Sequence, residues 1–326
     1  KCCLTIIGSS TLDTAMPARA ANLLGLALLL GFVGTRWLPT AGWVRRAPRL
    51  ALAVWCALLG TVAASVLTVG VIALLPTPPM VCALLFWCVH PDSPAALLAL
   101  RVTGDGVALG VAAIAAIALV RGARALRSQR AARRRHRDLL TLAGWPAPAL
   151  GGTVIEHPRP GAYVAPDRRL VVTSGALAQL TPAQLDAVVA HERAHAGGRH
   201  QLLLDLVWLA ARALPWVRLL RVARDQVGRL VELRADDVAA RVHGRAALAG
   251  ALVTMASGAT APVGLVGAAG GDTVERLRRL LAPPQRLGAP AGILVAAALV
   301  ALALLPVGAL VLDGWWPAAV RCVWIG

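Results

Sequence analysis

Two stretches of this chain run for 26 positions each without a charged residue, Leu50–Leu75 and Leu287–Leu312. About 20 apolar residues in a helix cross the hydrocarbon core of a bilayer, and lipid offers the backbone no partner outside a helix or a closed barrel. Both runs are therefore expected to be membrane-crossing helices, at about 50–75 and 287–312. Two shorter apolar runs are read the same way. One covers about 20–36, with Arg19 and Arg36 placed to snorkel at its ends. The other covers about 95–120, cleanest over Val107–Val120. Three spans then precede a segment of domain size and one follows it. With 58% hydrophobic residues, the chain does not have the composition of an ordinary soluble protein.

Charge orients these spans. The net charge is +17, and Lys1 is the only lysine. Arg36, Arg45, Arg46 and Arg49 lie between the first two spans, and an arginine-rich segment, 121–138, follows the third. The positive-inside rule places both in the cytoplasm, which leaves 76–94 and a short tail, 313–326, outside. The arginine run has no interleaved aromatics and abuts a span, so it reads as a lipid-facing topogenic segment. Membrane lipids are the expected partners, and no direct nucleic acid binding is expected. Cys82, Cys88 and Cys322 fall in the segments assigned outside. A bridge from Cys322 to either of the others fits there, and so do free thiols. The chain starts at Lys1, with Met16 ahead of the first apolar run. Residues 1–15 are read as non-native or disordered, and Met16 as the natural start.

All four glutamates (Glu156, Glu192, Glu232, Glu275) fall within 139–285, the segment expected to carry the chemistry. Thr181-Pro182-Ala183-Gln184 has the pattern of a helix start, with a threonine N-cap, proline at the first position and a capping-box glutamine. The helix should end at Gly197-Gly198. It carries His191-Glu192-Arg193-Ala194-His195. Residues four apart differ by about 40° around a helix, so both imidazoles face one way and can share a tetrahedral zinc ion. Glu192, about 100° from His191, sits at the edge of that face, where a carboxylate takes a proton from water without being a ligand. With 7 histidines and 4 glutamates, random placement would give this spacing about 0.002 times.

A hydrolytic zinc needs a third protein ligand and an open position. Glu232 and Asp236, four apart in the helical pattern 219–242, supply a ligand and a carboxylate to orient a liganding histidine through its far nitrogen. An acidic face paired with Arg229 or Arg234 is the plain alternative. His200, about 180° from His191 on a continued helix, is read as a surface or supporting residue and not as a ligand. The apolar segment 202–214 is too short to span and is read as a core or membrane-surface helix.

A His-Glu-Arg-Ala-His helix followed about forty residues on by Glu232-Leu233-Arg234-Ala235-Asp236 resembles the gluzincin membrane peptidases. Three spans before the motif and one after resemble the BlaR/MecR-type family. The HtpX-like family shares the motif logic but usually places two spans on each side. The resemblance covers roughly 16–312 and is strongest over 155–243. It implies His191, His195 and Glu232 as zinc ligands, Glu192 as general base and Asp236 as the acid behind a ligand. It implies a strand pair, Ala162–Val164 and Leu170–Thr173, beside the active site, with an edge open to an extended substrate. Tyr163, the only tyrosine, and His243 are candidate oxyanion stabilisers or substrate-binding residues, with core packing or solvent exposure the favoured reading for both. The expected fold is a multi-pass α-helical membrane protein with an inserted α+β zincin-like metallopeptidase domain at 139–285, cytoplasmic at the bacterial plasma membrane. The penicillin-binding sensor domain of the named relatives is not expected in the 313–326 tail. The implied substrate is a winged-helix repressor of the BlaI type, or the chain itself. HtpX-like quality control is the alternative, as is a non-catalytic membrane sensor or scaffold, which would have lost one of the four catalytic positions. An intramembrane protease is disfavoured, because Gln184, Asp186, Arg193 and Arg199 flank the motif.

Overall fold

The computed structural model describes residues 10–74, 94–257, 266–283, 287–302, 304–305 and 308. It is mostly helical with one small sheet, and it forms two compact units. The first comprises 1–41, 53–120 and 289–326, and the second comprises 42–52 and 121–288.

In the first unit, helix α1 covers Ser10–Arg36 and α3 covers Pro48–Leu74. The short α2, Gly42–Arg46, lies between them in sequence and belongs to the second unit. Residues 10–15, expected to lack structure, extend α1, consistent with Ser10 and Asp13 in a first turn. Helix α4 runs unbroken from Pro94 to Ala143. Three described helices are long and apolar enough to cross a membrane, at Ala21–Thr40, Pro48–Val71 and Leu109–Ala143. They leave Leu28, Leu29, Phe32, Leu67 and Leu119 exposed, as hydrocarbon surroundings would favour and water would not. Within the described residues the fourth expected span is an apolar helix, α11, Ala289–Leu302. The Leu302 carbonyl accepts a 2.7 Å hydrogen bond from Thr61 Oγ1 on α3. The end of that span, the 76–93 part of the expected outside loop, the 313–326 tail, Cys82, Cys88 and Cys322 lie outside the described residues.

The second unit begins earlier than 139. Between Gly122 and Gly144 the chain has neither glycine nor proline, so α4 continues through the arginine run. That run is docked: Arg133 clasps Asp205 through both carboxylate oxygens at 2.5 Å, and Gln129 Nε2 donates to Asp205 at 2.7 Å. Four strands follow: β1 (Gly144–Ala147), β2 (Gly152–Ile155), β3 (Ala162–Val164) and β4 (Leu170–Thr173). Their order is β1-β2-β4-β3, with β2 and β4 parallel and the outer pairs antiparallel. Side chains of β4 alternate between two cores. Leu170 and Val172 pack with Val188 and Val189, while Val171 packs with Leu140 of α4. Among the described residues β3 is an edge strand that pairs only with β4.

Among the described residues, six helices follow the sheet in this unit. They are α5 (Ser174–Gln179), α6 (Pro182–Gly197), α7 (His200–Ala213), α8 (Arg218–His243), α9 (Arg245–Ser257) and α10 (Val266–Leu281). The capping box that starts α6 is present, with Gln184 N–H donating to Thr181 Oγ1 and Thr181 N–H donating to Gln184 Oε1. Ala187 of α6 and Ala239 of α8 share one buried cluster with Leu248 and Leu280. Such short side chains let helix axes approach closely, which brings functional groups on α6 and α8 within reach of each other. Helix α7 buries Val207 and Ala211 and exposes Leu202 and Leu206.

Candidate metal centre

α6 delivers His191 and His195 to one side, and α8 delivers Glu232 opposite them. The two Nε2 atoms are 3.1 Å apart. Glu232 Oε2 lies 3.4 Å from His191 Nε2, and Oε1 lies 3.5 Å from His195 Nε2. Zinc bonds of about 2.0–2.1 Å in a tetrahedron put neighbouring ligand atoms roughly 3.3 Å apart. The three observed separations straddle that value, and the donors are two imidazole nitrogens and a carboxylate. The residues fit a divalent cation such as zinc. The Glu232 side chain is 36% exposed, which leaves one side of the cluster open to water or substrate.

Behind the cluster stands a buried ionic layer. Asp236, fully buried, puts Oδ1 3.0 Å from His191 Nδ1, off the line of a well-aligned hydrogen bond. Arg276 of α10 donates from Nε and Nη2 to the two Asp236 oxygens at 2.8 and 2.7 Å, and its Nη1 lies 2.9 Å from Glu232 Oε2. Burial raises both carboxyl pKa values. The contacts with His191 and Arg276 outweigh it, so both groups stay below the usual carboxylate range. For His191 burial favours the neutral ring, but the Asp236 and Glu232 contacts prevail and carry the ring to about 9. Burial takes His195 the other way, down to about 4.

Glu192 lies beside this set. Burial, reinforced by the Glu232 charge, pushes its carboxyl up to about 7, against the pull of His191, the Val164 N–H and Arg276. Val164 belongs to edge strand β3, so the sheet edge borders the Glu192 carboxyl. A carboxyl poised near neutrality accepts and returns a proton at little cost.

The other expected positions divide. His200 is buried, with its ring edge-on to His195 at 5.1 Å between centroids, so the supporting reading fits and the surface one does not. The chain turns there through Arg199, whose φ of 50° is left-handed. Gly198 ends α6 with ordinary φ, and its role is close approach: a Cβ there would lie 2.3 Å from His200 Nε2. Tyr163 faces away from α6. It stands opposite Val171, packs with the Val171–Leu140 cluster and lies 5.5 Å from the His136 ring, so an oxyanion role has no geometric basis. His243 is exposed at the end of α8, eleven residues and about 16 Å along the axis from Glu232, and is not brought to the cluster either. The sequence reading missed Arg276. Nothing in its local pattern sets it apart from Arg278 and Arg279 on the same amphipathic helix.

Residues 126–219 match the family model described as Peptidase family M48. The match covers less than a third of the chain, includes His191–His195 and stops before Glu232. It supports a metallopeptidase of that broad kind and does not single out the BlaR/MecR type. No curated protein and no solved structure matches the chain.

Proposed function

We propose that this chain is a membrane-bound, zinc-dependent endopeptidase that cuts peptide bonds on the cytoplasmic side. The observation that carries this is the meeting of His191, His195 and Glu232 at tetrahedral spacing beside a half-buried Glu192. His191, His195 and Glu232 hold the ion, and Asp236 keeps the His191 ring turned with Nε2 toward it. When bound, zinc supplies Lewis acidity, which polarises a scissile carbonyl and lowers the pKa of water toward about 7. The Glu192 carboxylate takes the proton of the attacking water and returns it to the leaving amine nitrogen. β3 offers an unpaired edge along which an extended peptide adds as a strand.

The cytoplasmic side follows from the arginines at 36–49 and 121–137 flanking apolar helices. The BlaR/MecR-type resemblance points to regulatory proteolysis, with a BlaI-type winged-helix repressor or the chain itself as substrate. The test uses the purified full chain with zinc beside Glu192→Gln, with a repressor encoded next to it as substrate and self-cleavage read by mass spectrometry. Cleavage by wild type alone supports the reading. Identical products from both proteins overturn the peptidase assignment. An intact repressor beside active self-cleavage overturns only that substrate.

A further inference from the structure

The second unit holds a cleft of about 1120 Å³ away from the residues of the metal centre. Six of its lining residues are arginines: Arg45, Arg46, Arg241, Arg245, Arg278 and Arg279. Only two acids line it, Asp237 and Glu275. Asp237 is taken by Arg279 at 2.8 Å. Glu275 is shared between Arg45 at 3.7 Å and Arg229, which reaches it from outside the cleft lining. Arg245 serves the backbone, donating to the Leu280 and Ala282 carbonyls at the end of α10. Arg46 and Arg278 are exposed, and their side chains have no polar partner among the described residues. Six guanidinium groups against two carboxylates leave a concave surface with an excess of about four positive charges, by the lining residues alone.

The Arg234 guanidinium is held below its usual range, first by burial and then by the charges of Arg241 and Arg49. Forked donors converging on a concavity match the oxygens of a phosphate group. Arg45 and Arg46 also sit in α2, five and six residues after the first candidate span ends at Thr40 and two or three before the next begins at Pro48. Chain connectivity therefore keeps this side of the cleft near a bilayer surface, where phosphate is presented by lipid.

We propose that this cleft binds the phosphate-bearing headgroup of an anionic membrane lipid. Two helices are common to the cleft and the candidate metal centre. Asp237 follows Asp236 on α8, and Glu275 precedes Arg276 on α10, so the helices that line the cleft also carry the ionic layer behind His191.

The test titrates the detergent-solubilised full chain with dihexanoyl phosphatidylglycerol, dihexanoyl phosphatidylcholine and inorganic phosphate, by calorimetry. Saturable binding of phosphatidylglycerol, none of phosphatidylcholine and much weaker binding of phosphate are expected. Arg46→Gln with Arg278→Gln should weaken phosphatidylglycerol binding roughly tenfold or more. Neither side chain has a polar partner to lose, so melting temperature and metal content should stay unchanged. Arg241→Gln, which gives up only a bond to its own helix carbonyl, serves as the second variant and should also weaken binding. Equal affinity in both variants and wild type overturns the proposal, as does equal binding of the two lipids. Phosphate binding as tight as phosphatidylglycerol marks a generic anion site and overturns the lipid assignment.

Discussion

Arg276 grips both oxygens of the fully buried Asp236 carboxylate, with Nε at 2.8 Å and Nη2 at 2.7 Å. Its third nitrogen reaches Glu232, so one guanidinium ties a candidate metal ligand to the acid that backs His191. The layer contains two carboxylates that would otherwise repel each other, and the arginine between them is what makes their burial tolerable.

Arg276→Ala should leave Asp236 with an uncompensated charge and cost about 3–5 kcal/mol, the range for breaking one side of a buried pair. Arg276→Lys keeps the charge but loses the fork, and metal affinity should fall about tenfold while the chain still folds. Denaturation curves and competitive metal titration of both variants measure these effects. Wild-type stability in Arg276→Ala would show that the layer contributes nothing.

Glu192→Gln should retain the metal and lose turnover by about 10²–10⁴-fold, the range for a positioned general acid or base. Initial rates and metal content on the same preparations separate the two effects. A parallel fall in metal content would make Glu192 a ligand instead.

The metal-free site should titrate visibly. His191 has a folded pKa of about 9, above the ordinary 6.5, so its contribution to stability is complete below about pH 6.5 and is lost as pH rises through about 9. A liganding imidazole must be neutral, so at pH 7 metal binding should expel about one proton from His191 and a fraction of one from Glu192, near 7, while His195, near 4, has none to give. Calorimetry in two buffers of different ionisation enthalpy reads this number directly. Heats independent of buffer would contradict it.

Gly198→Ala should destabilise the chain by about 1–3 kcal/mol, because the new methyl meets the buried His200 ring and cannot be accommodated without moving it. Thermal unfolding of the metal-free protein gives the magnitude. An unchanged transition would show that His200 yields freely.

The candidate metal centre was legible where geometry is local. His191, Glu192 and His195 share one helix, and the 3.6-residue period alone places them; Thr181 and Gln184 marked that helix's start by their side-chain hydrogen bonds. Glu232 and Asp236 were legible as a pair by the same period. Their pairing with α6 across forty residues depends on packing through small residues such as Ala187 and Ala239, which the sequence does not announce. Arg276 was illegible because one arginine among many gains its meaning only from the buried acids it meets. The arginine run was read as a lipid-facing topogenic segment, and its docking was not legible, because alanine and arginine also sustain a helix whose contact between Arg133 and Asp205 depends on packing distant in sequence. For Tyr163 the sequence left a site role open beside core packing, and the packing against Val171 and Leu140 is what the structure shows. Strand alternation sends it to the opposite face of the sheet from Val164.

The most direct measurement is zinc stoichiometry and X-ray absorption of the purified full chain, wild type beside Glu232→Ala. The account predicts one zinc per wild-type chain, coordinated by two imidazole nitrogens and carboxylate oxygen, and a large loss of zinc in the variant. Zinc bound equally by both proteins, or with a ligand set lacking two imidazoles, would contradict it.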